Sequence, residues 1–141
     1  MKKEEFLKKL EVELKISKTS KYTLRNYLKS NEFFINSINK EPEEISEDDL
    51  KLFIADNLSN HSSMSVILFL SAIRYSYQNI LKKDITLSIK RPKREKKFPC
   101  VLTKDEVKRL LDSLNTKKSK LIISLMYACG MRVSEVINLK K

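Results

Sequence analysis

Gly130 and Arg132 stand one residue apart, and Glu135 follows three residues later, within Ala128-Cys129-Gly130-Met131-Arg132-Val133-Ser134-Glu135. Gly130 is the only glycine among 141 residues. Glycine tolerates positive φ, so it can end one helix and turn the chain sharply. Arg132 then falls near the start of the next helix, where backbone N–H groups favour anions. A planar guanidinium suits a phosphate there, because it donates two parallel hydrogen bonds. Glu135 is close enough on a helix to hold Arg132 or the helix end in place. Such a corner fits phosphoryl transfer, with Gly130 and Glu135 as structural support. The plainer alternative is a surface arginine at a helix end.

A second cluster is basic. Ile89-Lys90-Arg91-Pro92-Lys93-Arg94-Glu95-Lys96-Lys97-Phe98-Pro99 has six cations, one acid and two prolines, without a helical face. It predicts an extended linker. Charge is uneven along the chain as a whole. Residues 1–90 carry 15 Lys/Arg against 13 Asp/Glu, a net of +2, and residues 91–141 carry 14 against 5, a net of +9. This asymmetry points to a polyanionic partner for the second half. Cys100, Cys129 and the lone His61 have no metal-ligand spacing, so neither zinc nor a disulfide is expected. No apolar run approaches the ~20 residues of a membrane span. The N-terminus lacks the apolar core of a signal peptide, so the expected location is the cytoplasm.

The elements that must position these residues read as helices almost throughout, with strand content close to nil. Phe6, Leu7, Leu10 and Leu14 recur at three- and four-residue steps. A second helix spans about Thr19 to Ile38, with Tyr22, Tyr27, Leu28, Phe34, Ile35 and Ile38 as its apolar set, and Pro42 breaks the chain after it. Ser46 starts a third, with acids in its first turn and Leu50, Phe53 and Ile54 facing the core. A fourth runs from about Ser62 to Leu81, burying Val66, Ile67, Phe69, Leu70, Ile73 and Tyr77. Beyond the linker, Thr103 and Glu106 have capping-box spacing, with Leu110, Leu111 and Leu114 on one face. Leu121 to Cys129 is apolar nearly all round and is expected to be central in its domain. A short helix follows Arg132. The predicted organisation is an all-α domain over 1–88, a basic linker over 89–101 and a second unit over 102–141.

With these residues in view, the chain resembles the tyrosine recombinases, or phage-type integrases, and in particular their Xer-like branch. Leu125-Met126-Tyr127-Ala128-Cys129-Gly130-Met131-Arg132-Val133-Ser134-Glu135-Val136 is similar to the family's first-arginine motif, Tyr-x-Thr-Gly-Leu-Arg-x-Ser-Glu-Leu. Cys129 and Met131 depart from it. Leu102-Thr103-Lys104-Asp105-Glu106-Val107-Lys108-Arg109-Leu110-Leu111 resembles the opening of the catalytic domain. Ser20-Lys21-Tyr22-Thr23-Leu24-Arg25-Asn26-Tyr27 and Leu70-Ser71-Ala72-Ile73-Arg74-Tyr75 resemble the second- and fourth-helix signatures.

The resemblance implies a four-helix SAM-like core-binding domain over 1–88 and the first helices of a catalytic domain over 102–141, joined by the linker to clamp duplex DNA. The implied contacts are Ser20, Lys21, Thr23 and Arg25 on the second helix, and Ser62, Ser63, Ser65 and Arg74 on the fourth. Lys90, Arg91, Lys93, Arg94, Lys96 and Lys97 would follow the phosphate backbone. Each serine can equally be an ordinary helix cap.

Family chemistry passes through a 3′-phosphotyrosyl link without metal, ATP or other cofactor, and Arg132 matches the first of its catalytic arginines. The partners implied are double-stranded DNA, as inverted-repeat half-sites, and other recombinase subunits. The family's strand-borne lysine, His-x-x-Arg motif, later His or Trp and nucleophilic tyrosine belong beyond residue 141. Tyr22, Tyr27, Tyr75, Tyr77 and Tyr127 fall at helical or core positions. The expectation is therefore a piece of a longer enzyme that binds DNA without cutting it. Two alternatives remain: a stand-alone DNA-binding protein or competitor of a recombinase, and a helical protein-interaction module.

Overall fold

A computed structural model describes residues 1–93 and 98–139. The described residues form helices and irregular segments, with no strand among them. Two compact units are distinguished, Met1–Lys96 and Lys97–Lys141.

In the first unit, α1 (Lys3–Ile16), α2 (Lys21–Ser37), α3 (Glu47–Leu58) and α4 (Ser63–Ser76) surround one core. Phe6, Leu10 and Leu14 repeat on the buried face of α1. Phe34 of α2 is central, with ring centroids 5.0 Å from Phe53, 6.0 Å from Phe69 and 6.5 Å from Tyr77. Each buried aromatic contributes on the order of 1.5–3 kcal/mol over its exposed state. Ser46 and Asp49 cap α3 reciprocally, and Lys40 pairs with Asp49 at 2.7 Å. That pair ties the Pro42 loop to the start of α3.

Three expectations for this unit need correction. Tyr22 is 71 % exposed, its ring covered by the Arg25 guanidinium at 5.2 Å instead of by the core. Asn31, polar and outside the apolar set, is fully buried in its place. Ile67 is half-buried, and the fourth helix does not run regularly to Leu81. It widens into a π-turn at Tyr77–Leu81 and ends on Lys82 at φ 53.

In the second unit, α5 (Lys104–Ser113) starts with the Thr103–Glu106 capping box, which the spacing predicts. Val107 is its buried residue, while Leu110 is half-exposed and Leu111 and Leu114 are partly covered. α6 (Lys117–Cys129) departs from expectation. It has no buried residue, and Leu121 is 61 % exposed. The flanking helices packed on it, α5 and the five-residue α7 (Val133–Ile137), are too short to cover it all round. Among the described residues no helix is long and apolar enough to cross a membrane.

Candidate nucleic-acid interface and arginine corner

The helix starts fall into two kinds. α3 and α5 carry carboxylates in the first turn, and Asp49 or Glu106 closes the cap. α2, α4 and α6 carry none, and at α6 Thr116 Oγ1 accepts from Ser119 N at 3.1 Å and donates to Ser119 Oγ at 2.7 Å. Ser20 Oγ accepts from Thr23 N at 3.1 Å and lies 3.0 Å from Thr23 Oγ1. Ser62 Oγ repeats the arrangement with Ser65, at 3.3 Å from the backbone nitrogen and 2.9 Å from the hydroxyl. Each helix start is thus capped by a neutral hydroxyl pair, so no side-chain anion offsets the positive end of the dipole. Serine capping and contact with an outside anion are compatible here, because a hydroxyl keeps further hydrogen-bonding capacity.

Contacts between α2 and α4 run in opposite chain directions. Tyr27 meets Tyr75 edge to face at 5.6 Å, Asn31 meets Ala72, and Phe34 meets Phe69. The start of α2 therefore lies toward the end of α4, where Tyr75 Oη and Ser17 Oγ are 3.0 Å apart. Lys21 and Arg25 are exposed, Thr23 and Ser63 partly covered. Arg74 is not beside Ser62–Ser65. It sits in the last turn of α4, its Nε 3.1 Å from Asp84 Oδ2. Gln78 also donates to Asp84, at 2.8 Å, and Thr86 does so through N–H and hydroxyl at 2.9 and 2.6 Å. Burial pushes the Asp84 carboxyl up, but the Thr86 bonds, Arg74 and Gln78 together hold it below the ordinary range.

An open groove of about 350 Å³ adjoins the start of α4, lined by Asn26, Lys29, Ser30, Phe33, His61 and Leu68 among others. Ser65, one of the DNA contacts implied by the sequence, also lines it, whereas the six residues just named are not among them. The available signal was the 3-1-3 spacing of Asn26, Lys29, Ser30 and Phe33, which puts them on one face of α2. Lys90, Arg91 and Lys93 are exposed in an irregular segment, whereas Arg94, Lys96 and Lys97 lie outside the described residues.

In the second unit, Gly130 caps α6 at φ 64, ψ 21, and a Cβ there would meet nothing within 4 Å. Its requirement for glycine is therefore conformational. Arg132 is the N-cap of α7, and its backbone N–H donates to Glu135 Oε2 at 2.8 Å. Its Nη1 donates to Glu135 Oε1 at 3.1 Å. One carboxylate thus holds both the main chain and the guanidinium of Arg132. The arginine side chain is 83 % exposed, and its other donors have no partner among the described residues. Val136 anchors the short helix by burial. Among the described residues no three His, Cys, Asp or Glu side chains group as metal ligands. Of the tyrosines, Tyr77 is buried, Tyr27 and Tyr75 are partly covered, and Tyr22 and Tyr127 are exposed.

Comparison with known proteins matches residues 6–87 to the phage integrase N-terminal SAM-like domain and residues 100–141 to the phage integrase family. Tyrosine recombinase XerA of Pyrococcus horikoshii is 33 % identical over 138 residues, covering 97 % of this chain and 46 % of that protein. Tyrosine recombinase XerD of Oceanobacillus iheyensis is 39 % identical over 87 residues, 55 % of this chain and 29 % of the relative. A crystal structure of XerA recombinase superposes with a TM-score of 0.56 at 27 % identity, covering 99 % of this chain and 50 % of that one. The chain spans less than half the length of these two curated relatives.

Proposed function

Because this chain belongs to the phage integrase family, we propose that it is the DNA-binding portion of a site-specific tyrosine recombinase. Residues 1–88 are its core-binding domain, 89–101 its backbone-following linker, and 102–141 the first part of its catalytic domain. The observation that carries this reading is the hydroxyl-capped, carboxylate-free start of α4 beside a groove holding Asn26, Lys29 and Ser30, with a second such start on α2 toward the other end of α4. Phosphates dock on the exposed cations and helix starts and set the register. The amide, hydroxyl and ammonium groups of the groove are of the types that read base edges.

Arg132 serves a separate step. Glu135 anchors one side of its guanidinium and leaves the remaining donors for the non-bridging oxygens of a scissile phosphate. A preorganised cation aimed at developing charge stabilises the transition state without reorganisation during reaction. The partners are double-stranded DNA, as inverted half-sites, and further recombinase subunits, and the reaction belongs to the cytoplasm.

Duplex selection from a random-sequence pool tests this reading. Winners containing a defined half-site, bound less tightly as salt rises, are expected. Salt-insensitive behaviour, or no retention of any duplex at low salt, would instead indicate a helical protein-interaction module.

A further inference from the structure

Asn31 on α2 and Ser76 at the end of α4 are both fully buried, in a core otherwise made of aromatic and aliphatic side chains. Asn31 Nδ2 donates to Tyr27 O in its own helix at 2.9 Å and across to Ala72 O of α4 at 3.3 Å. Its Oδ1 accepts from Ser76 Oγ at 2.5 Å, and that hydroxyl also lies 2.9 Å from Ile73 O. Both amide hydrogens and the carbonyl of Asn31 are thereby used, without recourse to solvent.

Stability alone does not explain such a pair. Replacing both partners of a buried hydrogen bond with apolar groups of similar shape is close to neutral. An apolar pair, however, accepts neighbouring registers of α4 on α2. With the polar pair, sliding or rotating either helix breaks the bonds to Ala72 O and Ser76 Oγ. The Asn31 carbonyl oxygen and one amide hydrogen are then stranded in the core at their desolvation penalty, while Ser76 Oγ keeps Ile73 O. Fixing register is the best-attested use of buried polar groups.

Leverage makes that register matter. Ser62 and Ser65 lie at the far end of α4 from Ser76, roughly 20 Å away at 1.5 Å rise per residue. A swing of about 6° around the pair moves them by about 2 Å, which is beyond the distance window of a hydrogen bond. We propose that Asn31 and Ser76 are positioning residues that set the start of α4 and the Lys29–His61 groove against α2. Sequence discrimination on DNA depends on them more than stability does. This inference rests on the DNA-binding reading above.

The test uses the full chain carrying Asn31→Leu with Ser76→Ala. The probes are a duplex selected by the wild-type chain and a scrambled duplex of the same composition. The double variant is expected to unfold near the wild-type midpoint and to bind the scrambled duplex as before. Its preference for the selected duplex is expected to fall about tenfold, the scale of one lost base contact. A folded double variant with undiminished preference overturns the proposal. If the double variant does not fold, Ser76→Ala alone is expected to lose about threefold of the preference, and full retention overturns the proposal equally. Residual dipolar couplings of the free proteins report the α2–α4 angle without DNA. A changed angle in the variant supports the positioning role, and an unchanged one overturns it. Absence of any preference in the wild type would sink the site-specific part of the DNA-binding reading, and the angle would still judge the pair.

Discussion

Replacing Tyr77 with phenylalanine should stabilise this protein. Tyr77 is fully buried, and its hydroxyl has no hydrogen-bond partner among the described residues. The ring lies 5.5 Å from Phe6 and 6.5 Å from Phe34, contacts that phenylalanine keeps. A buried hydroxyl without a partner costs about 1–3 kcal/mol. Removing one oxygen forfeits a few dispersion contacts, about 0.5–1 kcal/mol in all. The balance is about 1 kcal/mol in favour of Tyr77→Phe, or a rise in Tm of about 5 °C for a domain of this size.

Thermal and urea unfolding followed by circular dichroism give the answer, provided the urea slope is unchanged. A lower midpoint at the same slope would refute the reasoning, because it would mean the hydroxyl is satisfied in the folded protein. Alkaline pH supplies an independent check. Burial first, and the Asp49 charge second, push the Tyr77 phenol above its ordinary value of 10.0. A raised folded value means stability is fully present below pH 10 and lost as pH rises beyond it. Tyr77→Phe should flatten that alkaline loss.

Two other substitutions probe local structure. The Lys40 hydrogen bond, with the backbone and hydroxyl of Ser46, holds Asp49 down to about 2 from 3.8. Its stabilising share is therefore present above pH 3.8 and lost as pH falls toward 2, so Asp49→Asn should weaken the fold at pH 6 and show a shallower acid transition by circular dichroism. Gly130→Ala should cost about 1–2 kcal/mol for the left-handed backbone, with no added clash because the space around it is open. Hydrogen exchange in α6 and α7 should speed up, and an unchanged exchange rate there would contradict the conformational argument.

Features that depend on a few neighbouring residues were legible in the sequence. The Thr103–Glu106 cap, the Ser46 start of α3 and the glycine turn at Gly130 arise from chemistry within four residues, which spacing displays. Helical periodicity likewise placed Phe6, Leu10, Leu14, Phe34 and Leu50 in the core. The all-α class and the first-arginine motif follow from the same short-range information.

Other features were decided by residues far apart in the chain. Tyr22 and Asn31 share one helix, yet the apolar one is exposed and the polar one buried, because Ser76 and Ala72 supply partners 45 and 41 residues away. Arg74 reads as a free cation until Asp84 is seen beside it, with Gln78 and Thr86 bonded to the same carboxylate. The groove at Lys29 and His61 exists only where α2 passes the start of α4. Sequence by itself thus determined the helices, their caps and the arginine corner, since those rest on local geometry. The buried polar pair, the pairing of Arg74 and the shape of the groove at Lys29 and His61 were left to tertiary structure, because only packing brings their distant partners together.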